Sequence, residues 1–210
     1  MDVRHLGLVP YGDGVALQEA LRAEVLAGEA PEQLLLLEHL PVYTLGRRSA
    51  PGDLPLSGAF LADQGIEVFR TDRGGKLTYH APGQLVGYPI MRVDDVIAFL
   101  RTMERAIVDA LAGAGIVAGT RPGKEYTGVW VQDRKIASIG VHLSRGVSTH
   151  GFAVNVDLDL APFTWVVACG LPDVAMTSIA AEGGTDDVAR FRERMERAFR
   201  AAFAPVPSMT

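Results

Sequence analysis

Two side chains in this sequence have the chemistry of covalent group transfer: the thiol of Cys169 and the amine of Lys135. Cys169 closes the apolar run Trp165-Val166-Val167-Ala168, and Gly170-Leu171-Pro172 then turns the chain. A thiol so placed can stand at a pocket mouth. A lone cysteine is also often an inert small hydrophobe. At an unperturbed pKa of ~8.5 only a few per cent is thiolate at pH 7, so a nucleophile needs a cation or base beside it. Lys135 opens the otherwise apolar stretch Lys135-Ile136-Ala137-Ser138-Ile139 and is the unusual candidate. Its plain alternative is a solvated turn lysine.

A second concentration of polar groups lies in Thr71 to Ile90, TDRGGKLTYHAPGQLVGYPI. Arg73-Gly74-Gly75-Lys76 is a basic turn whose glycines can take φ > 0 and admit a ligand close to the backbone. Leu77, Thr78, Tyr79 and His80 follow, three of them with hydrogen-bonding tips. Pro82-Gly83 reads as a turn, and Gln84 to Ile90 as a strand. The stretch as a whole reads as strand, polar glycine loop, turn and strand, and its bland alternative is a long hairpin with solvated tips. Ser138 and Gly140 face a ligand or cap a strand. Ser138 lacks the first glycine of a nucleophile elbow. Gly119 to Lys124 is one residue short of a phosphate loop, and Glu125 stands where Ser or Thr is required. The five histidines show no metal-ligand spacing, and one cysteine cannot build a thiolate cluster, so no metal is expected.

The elements that must position these groups follow from periodicity. Val3 to Val9, Gln33 to Leu37, Val42 to Leu45 and Ile66 to Arg70 read as strands. Val129 to Val131, Lys135 to Leu143 and Val147 to Leu158 read likewise. Gly12 to Gly28 reads as a helix, with a short one near Ala59 to Gln64. Asp94 is expected to cap a helix to Ala112 whose stripe Leu100, Met103, Ile107 and Leu111 is core. Thr185 is expected to cap a last helix to Phe203, with Val188, Phe191, Met195 and Phe199 on one face. Residues 204–210 form a loose tail. With no repeat and no linker, residues 1–210 are expected to be one catalytic α/β domain of the α+β kind. Its sheet should be mixed and largely antiparallel, packed by helices.

Composition narrows the function classes. The chain has 210 residues, 48% hydrophobic, which suits one packed domain. A net charge of −5 gives no overall field for nucleic acid or anionic membrane, although Arg47-Arg48 and Arg70-Arg73-Lys76 can face an acidic partner. One cysteine leaves no internal disulfide and fits a reducing cytoplasm. No signal peptide and no run of ~20 apolar residues is present, so a cytoplasmic location is expected.

Three motifs in order, RGGKLTYHAPGQLVGYPI, GVWVQDRKIASIGVHLSRGVSTHGFAVNV and CGLPDVAMTSI, resemble the lipoyl(octanoyl)transferase family from about Leu34 to Ile179. The resemblance implies the fold shared with biotin and lipoate protein ligases. It implies a Cys–Lys pair at Cys169 and Lys135, and an acyl-substrate loop from Arg73 to His80. Further substrate contacts fall on Ser138, Ile139 and Gly140, and on Gly151, Phe152 and Ala153. Two positions depart from the family pattern: Ala81 follows the histidine where glycine is usual, and Ala168 precedes the cysteine where proline is usual. The implied reaction takes octanoyl from acyl carrier protein onto the cysteine, then onto a lysine of a lipoyl domain. The acceptors implied are 2-oxoacid dehydrogenase E2 subunits and the glycine cleavage H protein. The donor arrives activated, so neither ATP nor a metal is expected. Covalent catalysis splits one encounter of two proteins into two steps. Two rival readings stay open: an ATP-dependent lipoate or biotin protein ligase of the same fold, and an acyl or lipoyl-domain binding module without turnover.

Overall fold

The computed structural model describes residues 1–166 and 174–204. Its centre is a six-stranded mixed sheet in the order β1-β2-β6-β9-β8-β7. The strands are β1 (Asp2–Val9), β2 (Gln33–His39), β6 (Gln84–Ile90), β7 (Gly128–Val131), β8 (Arg134–Ser144) and β9 (Val147–Asn155). Only the β1–β2 pair is parallel in this sheet. The run Leu34 to Leu37 is buried throughout because both faces of β2 are covered. Leu34 and Leu36 face a core with α3 (Val96–Gly113) and α5 (Val188–Ala202). Leu35 and Leu37 face the core of α1 (Tyr11–Ala27) with Leu21 and Val25. β8 and β9 form a tight hairpin. Arg145 (φ 51°) and Gly146 (φ 78°) occupy its turn, the paired positive φ that a two-residue hairpin of right-handed twist requires.

A three-stranded sheet, β4-β3-β5, lies beside the first. It consists of β3 (Val42–Leu45), β4 (Glu67–Arg70) and β5 (Leu77–His80), with α2 (Gly58–Asp63) between β3 and β4 in sequence. Tyr43, Leu45, Leu77 and Tyr79 build its core with Leu158 and Phe163, the latter in α4 (Ala161–Thr164).

The stretch from Thr71 to Ile90 is therefore no hairpin. β5 pairs with β3, whereas β6 pairs with β2 and β9. The Pro82-Gly83 turn carries the chain from one sheet to the other. Glu38 holds the Gly83 N–H at 2.8 Å, and the Gly83 carbonyl accepts from Val156 and Asp157, both at 3.0 Å. Val42 to Leu45 likewise leaves the sheet of β2. Two caps also shift. Asp95, not Asp94, accepts from the N–H groups of Ile97 and Ala98 and starts α3. Asp187, not Thr185, accepts from Arg190 N–H and starts α5. In both cases the carboxylate that wins sits directly before the first helical residue, where it reaches the free N–H groups of the first turn. Most of the expected apolar stripes hold: Met103, Ile107, Leu111, Phe191, Met195 and Phe199 are wholly buried, whereas Leu100 and Val188 are only partly buried and Leu100 turns to the cavity described below.

Candidate active site

The loop from Arg73 to Lys76 is laced to the chain after β3. Arg47 N–H donates to Arg73 O and Arg48 N–H to Gly75 O, both at 3.1 Å. The guanidinium of Arg73 turns inward: its Nη2 donates to Thr44 O and Thr44 Oγ1, each at 2.7 Å. These hydrogen bonds help to offset the burial of the charge. On its other side the loop meets β8, where Gly74 N–H donates to Val141 O at 2.9 Å. A Cβ on Gly140 would lie 2.8 Å from Gly74 O, so glycine is what allows this approach.

Between that loop, β8, β9 and the first turns of α3 lies a cavity of about 370 Å³. It gathers most of the residues singled out from sequence. Arg73, Gly74, Gly75, Lys76, Leu77, Thr78 and His80 line it from the small sheet. Lys135, Ser138, Ile139 and Gly140 line it from β8, and Gly151, Phe152 and Ala153 from β9. Val86, Ile97, Leu100 and Val141 add apolar wall, while Arg48, Arg101 and Lys124 add cationic groups. Tyr79 does not line the cavity. Strand alternation turns it to the opposite face of β5, against Tyr43 and Phe163. Cys169 lies outside the described residues.

Lys135 is not a solvated turn lysine. It is 3% exposed, and its Nζ donates to Thr127 O at 2.9 Å. Its ammonium sits 5.3 Å from the centre of the Trp130 ring, a cation–π distance. Gly128 makes this possible, since a Cβ there would stand 2.7 Å from Lys135 Cε. The chain that returns after Cys169 is stitched to the same residue. Lys135 N–H donates to Ala175 O, and Thr177 N–H donates to Lys135 O, both at 2.9 Å.

Beneath the cavity runs a relay of polar side chains. Gln84 Nε2 donates to Tyr79 O and Asn155 Oδ1, so its oxygen must accept, and His80 Nδ1 donates to it at 2.7 Å. Asn155 passes its own N–H to Thr177 O at 2.8 Å. His39 donates from Nδ1 to Val9 O, and its Nε2 accepts from the Tyr88 hydroxyl at 2.6 Å. The network thus assigns Nδ1–H tautomers to both imidazoles. Burial lowers the pKa of His39 from 6.5 to about 4 and pushes His80 well below 6.5. Thr44 and Thr127 belong to no motif of the sequence. Only Asn155 carried a signal, a polar residue within an otherwise buried strand.

These histidines set a pH dependence. An unfolded chain takes up a proton at His39 near pH 6.5, the folded one only near 4. The stabilisation is therefore complete above pH 6.5 and is lost as the pH falls towards 4. One such group contributes ~3 kcal/mol over that window. His80 acts in the same direction. The urea midpoint of unfolding is expected to fall steadily from pH 7 to pH 5, above the range of ordinary carboxylates. A midpoint constant over that range would contradict neutral buried imidazoles.

No group of three or more His, Cys, Asp or Glu among the described residues is arranged to hold a metal ion. No helix among them is long and apolar enough to cross a membrane.

Comparison with known proteins gives a consistent result. The lipoyl protein ligase A/B catalytic domain family matches residues 10–200. An octanoyltransferase of Solibacter usitatus is 45% identical over 214 aligned residues, covering 99% of this chain and 96% of the relative. One of Rubrobacter xylanophilus is 46% identical, covering 89% and 86%. Among solved structures, a T. acidophilum lipoate protein ligase with bound lipoic acid superposes with a TM-score of 0.75 over 96% of this chain and 86% of that one. At 19% identity this last likeness shows the fold alone. The expectation of a ligase-like α/β domain holds, and the ATP-dependent ligase reading is not favoured. With its matched relatives aligned along nearly the whole sequence, the chain belongs to the lipoyl protein ligase A/B catalytic domain family, among its octanoyltransferases.

Proposed function

We propose that this enzyme moves an octanoyl group from acyl carrier protein to Cys169 and then to a lysine of a lipoyl domain. The acceptors are lipoyl domains of 2-oxoacid dehydrogenase E2 subunits and the glycine cleavage H protein. The observation that carries the reading is Lys135, a buried lysine that lines a largely apolar cavity among described residues. In sequence, Ala175 follows Cys169 by six residues, and its carbonyl accepts from the Lys135 backbone N–H.

In the first step the Cys169 sulfur attacks the thioester carbonyl. The carbon–sulfur bond to the carrier arm breaks, and the thiol proton passes by way of Lys135 to the departing sulfur. One thioester replaces another, so little driving force is needed. In the second step the acceptor amine attacks the acyl-cysteine. Its surplus proton goes to Lys135 and from there to the Cys169 sulfur as the amide forms. A positioned base typically contributes ~10²–10⁴-fold to such a transfer. The octanoyl chain lies along the apolar wall, where about six buried methylenes at ~0.8 kcal/mol each supply ~5 kcal/mol before costs. A cavity of about 370 Å³ falls at the small end of ligand sites, which suits a medium acyl chain. Arg48, Lys76 and Lys124 at its edge suit an acidic donor protein.

Intact mass after incubation with octanoyl-carrier protein tests the reading. One octanoyl group per chain is expected, labile to hydroxylamine and formed equally with and without ATP. Acylation that required ATP and free octanoate would point instead to ligase chemistry.

A further inference from the structure

Glu104 is a buried carboxylate that takes no part in the acyl and proton transfers. It lies on α3, 1% exposed, between the apolar neighbours Met103 and Ala106. Burial of a carboxylate is costly unless both oxygens are satisfied. Here one oxygen accepts from Arg101 Nη1 at 2.6 Å and the other from Gly128 N–H at 2.9 Å. The second contact matters. Gly128 N–H and Thr127 C=O belong to one peptide unit, and Thr127 O is the atom that takes the Lys135 ammonium at 2.9 Å. The carboxylate therefore reaches the lysine through a single peptide group.

The peptide needs holding. Gly128 sits at φ +135°, a conformation open to glycine and seldom to other residues. A glycine on one side of a peptide lets that unit rotate with little steric resistance. Rotation would swing the Thr127 carbonyl away from Lys135 and release its Nζ. The Glu104 hydrogen bond opposes that rotation. It does so without placing a carboxylate on the ammonium, which as a direct ion pair would hold the proton that a base has to exchange.

We infer that Glu104 is a positioning residue, which aims Lys135 at the acyl site by fixing the Thr127–Gly128 peptide. The inference rests on the reading of Lys135 as the proton carrier. Glu104→Met is expected to lower kcat for octanoyl transfer at least 10-fold, with the KM for octanoyl-carrier protein within twofold of wild type. Glu104→Gln keeps an oxygen for the Gly128 N–H and is expected to stay within threefold of wild type in kcat. The decisive measurement is the cycle with Lys135→Met, because residues acting through one another are not additive. Adding Glu104→Met to Lys135→Met should cost nothing more. Independent losses that multiply in the folded double variant would overturn the inference, as would a wild-type kcat in Glu104→Met. A wild-type rate in Lys135→Met alone would instead remove the proton-carrier reading beneath it. If circular dichroism shows Glu104→Met unfolded, Glu104→Asp takes its place in the cycle. It keeps the charge beside Arg101 but withdraws the carboxylate from Gly128 by one methylene, and the same two outcomes decide.

Discussion

Cys169→Ala is expected to lose octanoyl transfer by ~10⁴-fold or more, the scale on which covalent enzymes depend on their nucleophile. Cys169 is the single cysteine of the chain, so every thioester label must sit on it. The variant should therefore show no hydroxylamine-labile octanoyl mass under any donor concentration. Alanine is small and apolar, so the loss should come without a large fall in unfolding midpoint. Cys169→Ser sharpens the result. An alcohol is a far weaker nucleophile than a thiolate near neutral pH, and any oxygen ester that formed would be a poorer acyl donor than the thioester. A trace of hydroxylamine-resistant adduct with no onward transfer is the expected pattern for serine. Direct attack of the acceptor amine on the carrier thioester predicts something else: transfer by Cys169→Ala at a substantial fraction of the wild-type rate. That result would rule out the acyl-enzyme while leaving the family assignment intact.

Local pattern carried the secondary structure well, because its signals are local. The four-leucine run of β2, the stripe on α3 and that on α5 are periodicities of neighbouring residues. What the sequence could not show was which strand pairs with which. β5 and β6 are separated by three residues and would pass for a hairpin. They belong to different sheets because Thr78 and Tyr79 register with Thr44 and Tyr43, while Leu85 and Val86 register with Val154 and Ala153. Those partners lie far away in sequence. The same limit applied at the cavity. The side chains of Arg73, His80, Lys135 and Ser138 were visible as oddities of composition, and the fold brings all four to one wall or another of it. Tyr79 goes with them by sequence position alone, between Thr78 and His80. Strand alternation sends it the other way, a consequence of pairing that a loop reading of the segment hides. Glu104 gave no signal at all, since a glutamate on a helix is ordinarily solvated. Only the approach of Gly128 to the buried face of α3 makes it distinctive.

Lys135→Arg is the substitution that separates charge from proton transfer. Lys135→Met removes both together and is expected to slow transfer by at least ~10²-fold, the lower end for a lost general base. It also leaves Thr127 O without its donor and should cost ~1 kcal/mol of stability, the order of a hydrogen bond lost from a partly buried group. Arginine keeps a cation near the Trp130 ring and within reach of Thr127 O, but its guanidinium holds its proton throughout the accessible pH range. If Lys135 serves only as a cation, iodoacetamide should alkylate Cys169 as fast in Lys135→Arg as in wild type, and transfer should keep pace. If it also carries the proton, the two rates part. Alkylation stays within a few-fold of wild type because the thiolate keeps its neighbouring cation, while amide formation from the pre-formed acyl-enzyme remains ~10²-fold slow. Raising the pH distinguishes the steps further. The acceptor lysine deprotonates by itself as the medium approaches its own pKa of ~10.4, so the deficit in Lys135→Arg should narrow at alkaline pH. A deficit that stays constant from pH 7 to pH 9.5 would indicate that the larger guanidinium obstructs the cavity. Wild-type amide formation in Lys135→Arg would leave Lys135 an electrostatic role and nothing more.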